Sequence, residues 1–355
     1  MASPPGPGPR AGSRVLVVDL AATSKNWALP ADGADAIRAH APPGWTVRVV
    51  SAPTVSDGDG GPGPSPEAMA AVRDAEVYFG FGFSRELLGA ARELRWVQSA
   101  AAGVGNVLFP EMIASPVLIT NSAGVHAVPI AEHVVGGLLY LLRGLDVAVA
   151  QQREGRWDKA PFVGAGSRIR ELGACRALIV GTGGIGQAVA SRLRAFGTVC
   201  TGVRRRASLG APAEFDRVVP LDGLDAELSG ADIVVLAAPL TPLTRDLLSA
   251  RRLALLPRDA IVVNVSRGAL LDEAALVDAL RADRLGGAVL DVFGEEPLAA
   301  ASALWQLPHV LLTPHVSAVS PGRFWARELA LFFDNWRRHV AGEPLKNLVD
   351  KQAGY

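Results

Sequence analysis

The chain has 355 residues, 49% of them hydrophobic and 20% charged, with 35 basic and 35 acidic residues and no formal net charge. Such a length favours two domains with a sizeable core, and the charge balance argues against nucleic acid or an anionic membrane as a partner. The two cysteines, Cys175 and Cys200, are too few for a disulfide framework and point to a reducing cytoplasm.

The opening MASPPGPGPRAGSR reads as a disordered Pro/Gly tail without the apolar core of a signal peptide. Residues 14–20 form a β-branched run that predicts a strand. A helix at 31–40, a strand at 45–50 and a Gly/Pro loop at 56–66 follow. Helix and strand then alternate: helix 67–74, strand 76–79, helix 85–94, strand 95–98, a small-residue turn at 100–104 and strand 118–121. This alternation is the mark of a parallel α/β sheet. Pro129 opens a long helix to Leu142 that is apolar nearly all round, so it is expected to be buried between domains or subunits. Its apolar stretch 134–142 is too short to span a membrane and leads into Arg143 and Asp146. Residues 151–171 read as a connector containing Trp157.

The sequence ALIVGTGGIGQAVASR at 177–192 is the centre of the chain. A buried strand runs into Gly181, Gly183 and Gly186, and a helix follows, which is the context that gives G-x-G-x-x-G its meaning. The first glycine allows the tight turn, the second lets a pyrophosphate approach, and the third lets helix and strand pack closely. Gly184 and Ile185 complete a loop whose free N–H groups face a dinucleotide. Strands are expected at 198–203, 217–220, 233–237, 260–264, 287–291 and 310–312, then an amphipathic helix at 321–340. The second strand of this unit ends in Arg204, Arg205 and Arg206, where an NAD enzyme places an acid. Guanidiniums there suit a 2′-phosphate, so NADP is the predicted cofactor, with NAD as the alternative.

Arg267, Glu296 and His315 each follow a strand of this unit, where an open sheet places its ligand crevice. Together they suit hydride transfer to a ketone beside a carboxylate. Arg267 would hold the carboxylate, His315 would protonate the carbonyl oxygen, and Glu296 would favour the cationic imidazole and fix its orientation. No histidine, cysteine or acid spacing matches a metal site.

The motifs VGTGGIG, LAAPLTPLTRDLLS, VVNVSRGALLDEAAL, AVLDVFGEEPL, LLTPHVSA and GEPLKNLVDKQAGY resemble the D-isomer-specific 2-hydroxyacid dehydrogenase family. LRWVQSAAAGV and ITNSAGVHAVPIAEHVVGGLLYLLR resemble its N-terminal part, while residues 1–75 match only in α/β character. The resemblance implies that Arg267, Glu296 and His315 fill the family's triad, that Asp291 binds the nicotinamide carboxamide and that Pro239 lines the nicotinamide pocket. It also implies that the backbone of Ala102 and Gly103 holds the substrate carboxylate. Glu296 separates the chain from the formate dehydrogenase branch, which carries Gln there. Gly105, in place of a common acid, and Arg204, in place of an Asp, depart from the family pattern.

The expected architecture is two Rossmann-like or flavodoxin-like parallel-sheet domains. A nucleotide-binding domain at 123–317 is inserted into a discontinuous substrate domain at 1–122 and 318–355. Domain closure would bring Ala102 and Gly103 toward Arg267 and His315. The expected assembly is a homodimer through the 129–142 helix. The expected activity is reduction of a small 2-oxo acid, such as glyoxylate or hydroxypyruvate, to the D-2-hydroxy acid with NADPH. A larger, branched or aromatic 2-oxo acid is the rival within enzymes. The rival from another class is a dinucleotide-sensing scaffold like the C-terminal-binding protein corepressors. Those carry a long disordered C-terminal tail, whereas the matched motifs here run to Tyr355.

Overall fold

A computed structural model describes residues 14–22, 27–52 and 63–354. The expected N-terminal tail, apart from Arg14, and most of the 56–66 loop lie outside the described residues. The chain divides into two compact units, Met1–His126 with Val319–Tyr355, and Ala127–Ala318.

The first unit has five strands: β1 Arg14–Asp19, β2 Trp45–Val49, β3 Val77–Gly80, β4 Trp96–Ser99 and β5 Leu118–Thr120. They are all parallel, in the order β2-β1-β3-β4-β5, which is the flavodoxin-like order. Strand β1 explains why its sequence is a continuous apolar run. Val15 and Val17 pack on one side with Tyr78 and Phe83, and Leu16 and Val18 on the other with Phe79 and Trp96. Parallel strands covered on both faces need apolar residues at every position. The helix Phe324–Ala341 seals the second face, with the Phe332 ring stacked on Phe79 at 4.2 Å. It starts three residues later than the sequence implied because Gly322 sits at φ +75, a conformation no α-helix contains. Gly342, at φ +69, ends it with the left-handed cap that glycine tolerates. Helix Arg85–Ala90 is also shorter than expected, since Ala91 turns extended.

The second unit has seven parallel strands: β6 Arg176–Val180, β7 Val199–Arg204, β8 Arg217–Pro220, β9 Ile233–Leu236, β10 Ile261–Asn264, β11 Gly287–Leu290 and β12 Val310–Leu312. Their order, β12-β11-β10-β9-β6-β7-β8, is the Rossmann order extended by one strand, and it reverses between β6 and β9. The apolar helix spans Ala127–Leu142, two residues earlier than expected, with Pro129 inside its first turn. It buries Ile130, Ala131, Val134, Leu138 and Leu141 within this unit, in a layer with Ile179, Val263 and Val289. A Cβ at Gly137 would meet Val289 at 2.6 Å, so this glycine sets how closely the helix lies. The expected connector at 151–171 is partly helical, containing the end of Leu145–Glu154 and all of Ala160–Val163. Among the described residues no single helix is long and apolar enough to cross a membrane. Ala127–Leu142 and Leu145–Glu154 reach that length only as a pair bent by 66°.

One buried acid stands out in the first unit. Glu328, on the Phe324–Ala341 helix, is fully buried, and among the described residues neither carboxyl oxygen has a well-formed hydrogen bond. Burial pushes it up to about 7, against weak hydrogen bonding from Ser122 and Gln98. The folded protein therefore holds a proton there that the unfolded chain loses near its ordinary value of 4.5. This contribution is neutral below that value, turns destabilising as pH rises through 4.5, and reaches about 3 kcal/mol above 7. Glu328→Gln is expected to raise the melting temperature at pH 8.5 and to leave it nearly unchanged at pH 4. Thermal melts of both proteins across that range check the sign.

Candidate active site

All strands of the second unit point the same way, so the loops after their carboxyl ends share one edge. Along that edge stand His315 after β12, Glu296 after β11, Arg267 after β10, Pro239 after β9, the glycine loop after β6 and Arg204 at the end of β7. The sequence-predicted residues of this unit are thus brought to one face, in an order set by the sheet.

The glycine loop has the expected divided roles. Gly181 sits at φ +102, and a Cβ on it would lie 2.5 Å from the carbonyl oxygen of Ala237. A Cβ on Gly186 would lie 1.9 Å from the carbonyl oxygen of Gly181, so loop and helix touch through bare backbone. A Cβ on Gly183 would meet nothing within 4 Å. The space above Gly183 is open, as a pyrophosphate requires. The helix Gly184–Ala195 begins here without a side-chain cap, leaving its first N–H groups, including those of Gly184 and Ile185, for a ligand.

Arg204 folds back toward this loop. Its Nε donates to the Arg206 carbonyl at 2.9 Å and its Nη1 lies 3.4 Å from Thr182 Oγ1. Its Nη2 is sealed from solvent and has no hydrogen-bond partner among the described residues. Among the described residues no carboxylate pairs with Arg204, so its charge at the end of β7 suits an anionic ligand. Arg205 is exposed. The loop and Arg204 together fit a phosphorylated dinucleotide.

The second half of the edge carries the titratable groups. His315 Nδ1 lies 2.7 Å from Glu296 Oε2, and Glu296 Oε1 accepts the Phe293 N–H at 2.9 Å. With Nδ1 engaged, Nε2 is the imidazole nitrogen left to face a ligand. Arg267 is exposed, and among the described residues no carboxylate pairs with it; its Nη1 donates to the Ser266 carbonyl at 2.7 Å. Its loop is anchored from below by fully buried Asn264, which donates to the Arg267 carbonyl and accepts from the Ser266 N–H. Ser266 Oγ donates to the Ala238 carbonyl. Gly268 brings the Arg267 loop onto the Glu296 loop, since a Cβ there would sit 1.9 Å from the Phe293 carbonyl.

Asp291 is fully buried, and its carboxylate caps the 313–317 segment by accepting from Thr313, Val316 and Ser317. Pro239 is exposed, with its carbonyl accepting from Thr244. In the first unit, the Ala102 carbonyl accepts from Asn121 Nδ2 at 2.8 Å. Among the described residues the N–H groups of Ala102 and Gly103 meet no acceptor. Sequence reasoning missed Asn264, Ser266 and Gly268, which hold the Arg267 loop through backbone, and Thr313, whose hydroxyl bonds the Asp291 carboxylate near His315. Their positions immediately beside Arg267 and His315 were the available signal.

The D-isomer specific 2-hydroxyacid dehydrogenase NAD binding domain matches residues 135–317. A D-3-phosphoglycerate dehydrogenase of Mycobacterium tuberculosis is 36% identical over 269 residues, covering 76% of this chain and 49% of the relative. The chain thus spans about half the length of the curated relatives it matches first. A D-isomer specific 2-hydroxyacid dehydrogenase family protein of Aeromonas salmonicida superposes with a TM-score of 0.76 at 31% identity, covering 96% of this chain and 100% of the other. An NADPH-dependent glyoxylate/hydroxypyruvate reductase of Sinorhizobium meliloti, solved with NADP and sulfate, gives 0.76 at 28% identity with the same coverage. With two parallel α/β sheets and this edge of residues, the chain belongs to the D-isomer specific 2-hydroxyacid dehydrogenases, a family of NAD(P)-dependent oxidoreductases.

The glycine geometry separates fold from binding. Gly183→Ala is expected to keep the wild-type melting temperature while weakening NADPH binding by about tenfold or more. Gly186→Ala is expected to lower the melting temperature itself, because a carbonyl occupies the space. Calorimetric titration and thermal melts of the two variants check both halves.

Proposed function

We propose that this chain catalyses hydride transfer between a nicotinamide dinucleotide and a small 2-oxo acid, giving the D-2-hydroxy acid, with NADPH preferred over NADH. The observation that carries the reading is the Glu296–His315 pair on the same sheet edge as the open glycine loop and an exposed Arg267 that has no carboxylate partner among the described residues. The cofactor, when bound, supplies the hydride.

Arg267 offers two parallel N–H donors to the substrate carboxylate. This fixes the adjacent carbonyl carbon for attack. As hydride reaches that carbon, negative charge grows on the carbonyl oxygen, and the His315 imidazolium gives its Nε2 proton to it. Glu296, on Nδ1, holds the ring so that Nε2 is the nitrogen presented to the carbonyl oxygen. In the reverse direction neutral His315 takes the hydroxyl proton. In the first unit, the N–H groups of Ala102 and Gly103, which meet no acceptor among the described residues, are themselves of a kind that binds a carboxylate. Pro239 and Asp291 stay with the nicotinamide side of the assignment, Asp291 chiefly through the cap described above.

The NADPH preference rests on Arg204, which stands at the end of β7, where an NAD enzyme places an acid, and which has no carboxylate partner among the described residues. A 2′-phosphate there would be an anion beside the Arg204 guanidinium, and exposed Arg205 adds positive charge. Glyoxylate and hydroxypyruvate are the first substrates to consider. The cytoplasm is the proposed compartment. Cys175 and Cys200 are both free and buried, and burial pushes the Cys200 thiol up to about 12. A homodimer is the proposed assembly. Trp157 is 89% and Val163 77% exposed, large apolar surfaces that a second copy would cover.

His315→Ala is expected to lower kcat by about two to four orders of magnitude while NADPH affinity stays near wild type. Turnover within a few-fold of wild type would remove His315 from the acid role. Arg204→Asp is expected to move the NADPH-to-NADH ratio of kcat/KM toward NADH by about tenfold or more. An unchanged ratio would show that Arg204 does not read the 2′-phosphate.

A further inference from the structure

The segment that carries His315 is tied to one residue. The Asp291 carboxylate accepts from Thr313 Oγ1 at 2.6 Å, from the Val316 N–H at 2.9 Å and from the Ser317 N–H at 2.9 Å. The Asp291 backbone carbonyl accepts the His315 N–H, also at 2.9 Å. His315 itself is held at φ +52, a left-handed conformation that a non-glycine residue keeps only where its neighbours impose it. Asp291 is fully buried, so each lost bond to its carboxylate would leave a buried oxygen short of a donor that water cannot replace.

Thr313 is the one side-chain donor among those three. Its hydroxyl also meets His133 Nε2, from the Ala127–Leu142 helix, at 3.2 Å. A hydroxyl has one proton to give and lone pairs to accept with. The buried carboxylate at 2.6 Å is the charged and closer acceptor, so it takes that proton. The Thr313 oxygen is then the acceptor toward His133, and His133 must carry its proton on Nε2.

We infer that His133 and Thr313 are positioning residues for His315. His133 Nε2–H donates to Thr313, Thr313 donates to Asp291, and Asp291 holds the backbone on both sides of His315 so that its ring reaches Glu296. The inference rests on the acid role of His315 proposed above. No sequence pattern links these residues, since His133 and Thr313 lie 180 positions apart.

Two measurements on the full chain test it. The first is a long-range ¹⁵N–¹H correlation spectrum of the histidine side chains in the wild-type protein with NADPH added. The His133 signal is assigned by its loss in His133→Gln. An Nε2–H tautomer at His133 is expected, and an Nδ1–H tautomer would overturn the relay. The second compares Thr313→Val with Thr313→Ser, each checked by circular dichroism for intact fold. Thr313→Val, which keeps the shape and removes the hydroxyl, is expected to lower kcat about 10- to 100-fold with KM for NADPH within about twofold of wild type. Thr313→Ser is expected to restore kcat to within about threefold of wild type. Wild-type kcat in the valine variant, or a serine variant as impaired as the valine one, would overturn the positioning role. Should the wild-type protein turn over no 2-oxo acid, the proposed activity fails, and the tautomer alone decides whether the relay exists.

Discussion

The constraint on which the second unit depends is the common direction of its seven strands. Because every strand is parallel, every carboxyl end opens on the same edge, and chemistry can be laid out along it strand by strand. The groups suited to a dinucleotide occupy β6, β7 and β9, and the groups suited to a 2-oxo acid occupy β10, β11 and β12. This order requires backbone to approach backbone at a few points. Gly186 against Gly181 and Gly268 against Phe293 are such points, each too close for any side chain. The glycines fix the loops, and the loops place the functional side chains.

Charge along this edge follows a consistent logic. The acids are satisfied by the protein: Asp291 by a hydroxyl and two backbone N–H groups, Glu296 by a backbone N–H and His315. The two key arginines are not. Among the described residues neither Arg204 nor Arg267 has an acid partner, although arginines elsewhere in the same unit do, as in Arg168–Asp283 and Arg217–Glu227. An edge with its acids occupied and its guanidiniums without acid partners favours anionic ligands. A 2-oxo acid and a dinucleotide phosphate are both anionic.

Much of this was legible in the sequence, for reasons that can be named. Strands buried on both faces leave unbroken apolar runs, so β1, β6, β9 and β10 were readable within a residue or two. The glycine spacing located the dinucleotide loop, and single charged residues after strand ends marked Arg267, Glu296 and His315, with the family resemblance adding their roles. The Leu145–Glu154 helix was missed because LDVAVAQQRE has only one buried position, Gln151, and so lacks an apolar stripe. The start of the last helix was misplaced because Gly322 takes a left-handed turn that composition does not reveal. The His133–Thr313–Asp291 chain was invisible for a different reason. Its partners are distant in sequence, and each bond depends on a single atom rather than on a period.

The central claim is that this edge performs hydride transfer to a 2-oxo acid with NADPH. The most direct test is steady-state oxidation of NADPH and NADH by the wild-type protein, followed at the nicotinamide absorbance. The panel is glyoxylate, hydroxypyruvate, pyruvate, 2-oxoisocaproate and phenylpyruvate. The account predicts turnover with at least one of these acids and a higher kcat/KM with NADPH than with NADH. Tight dinucleotide binding without turnover of any acid would contradict it.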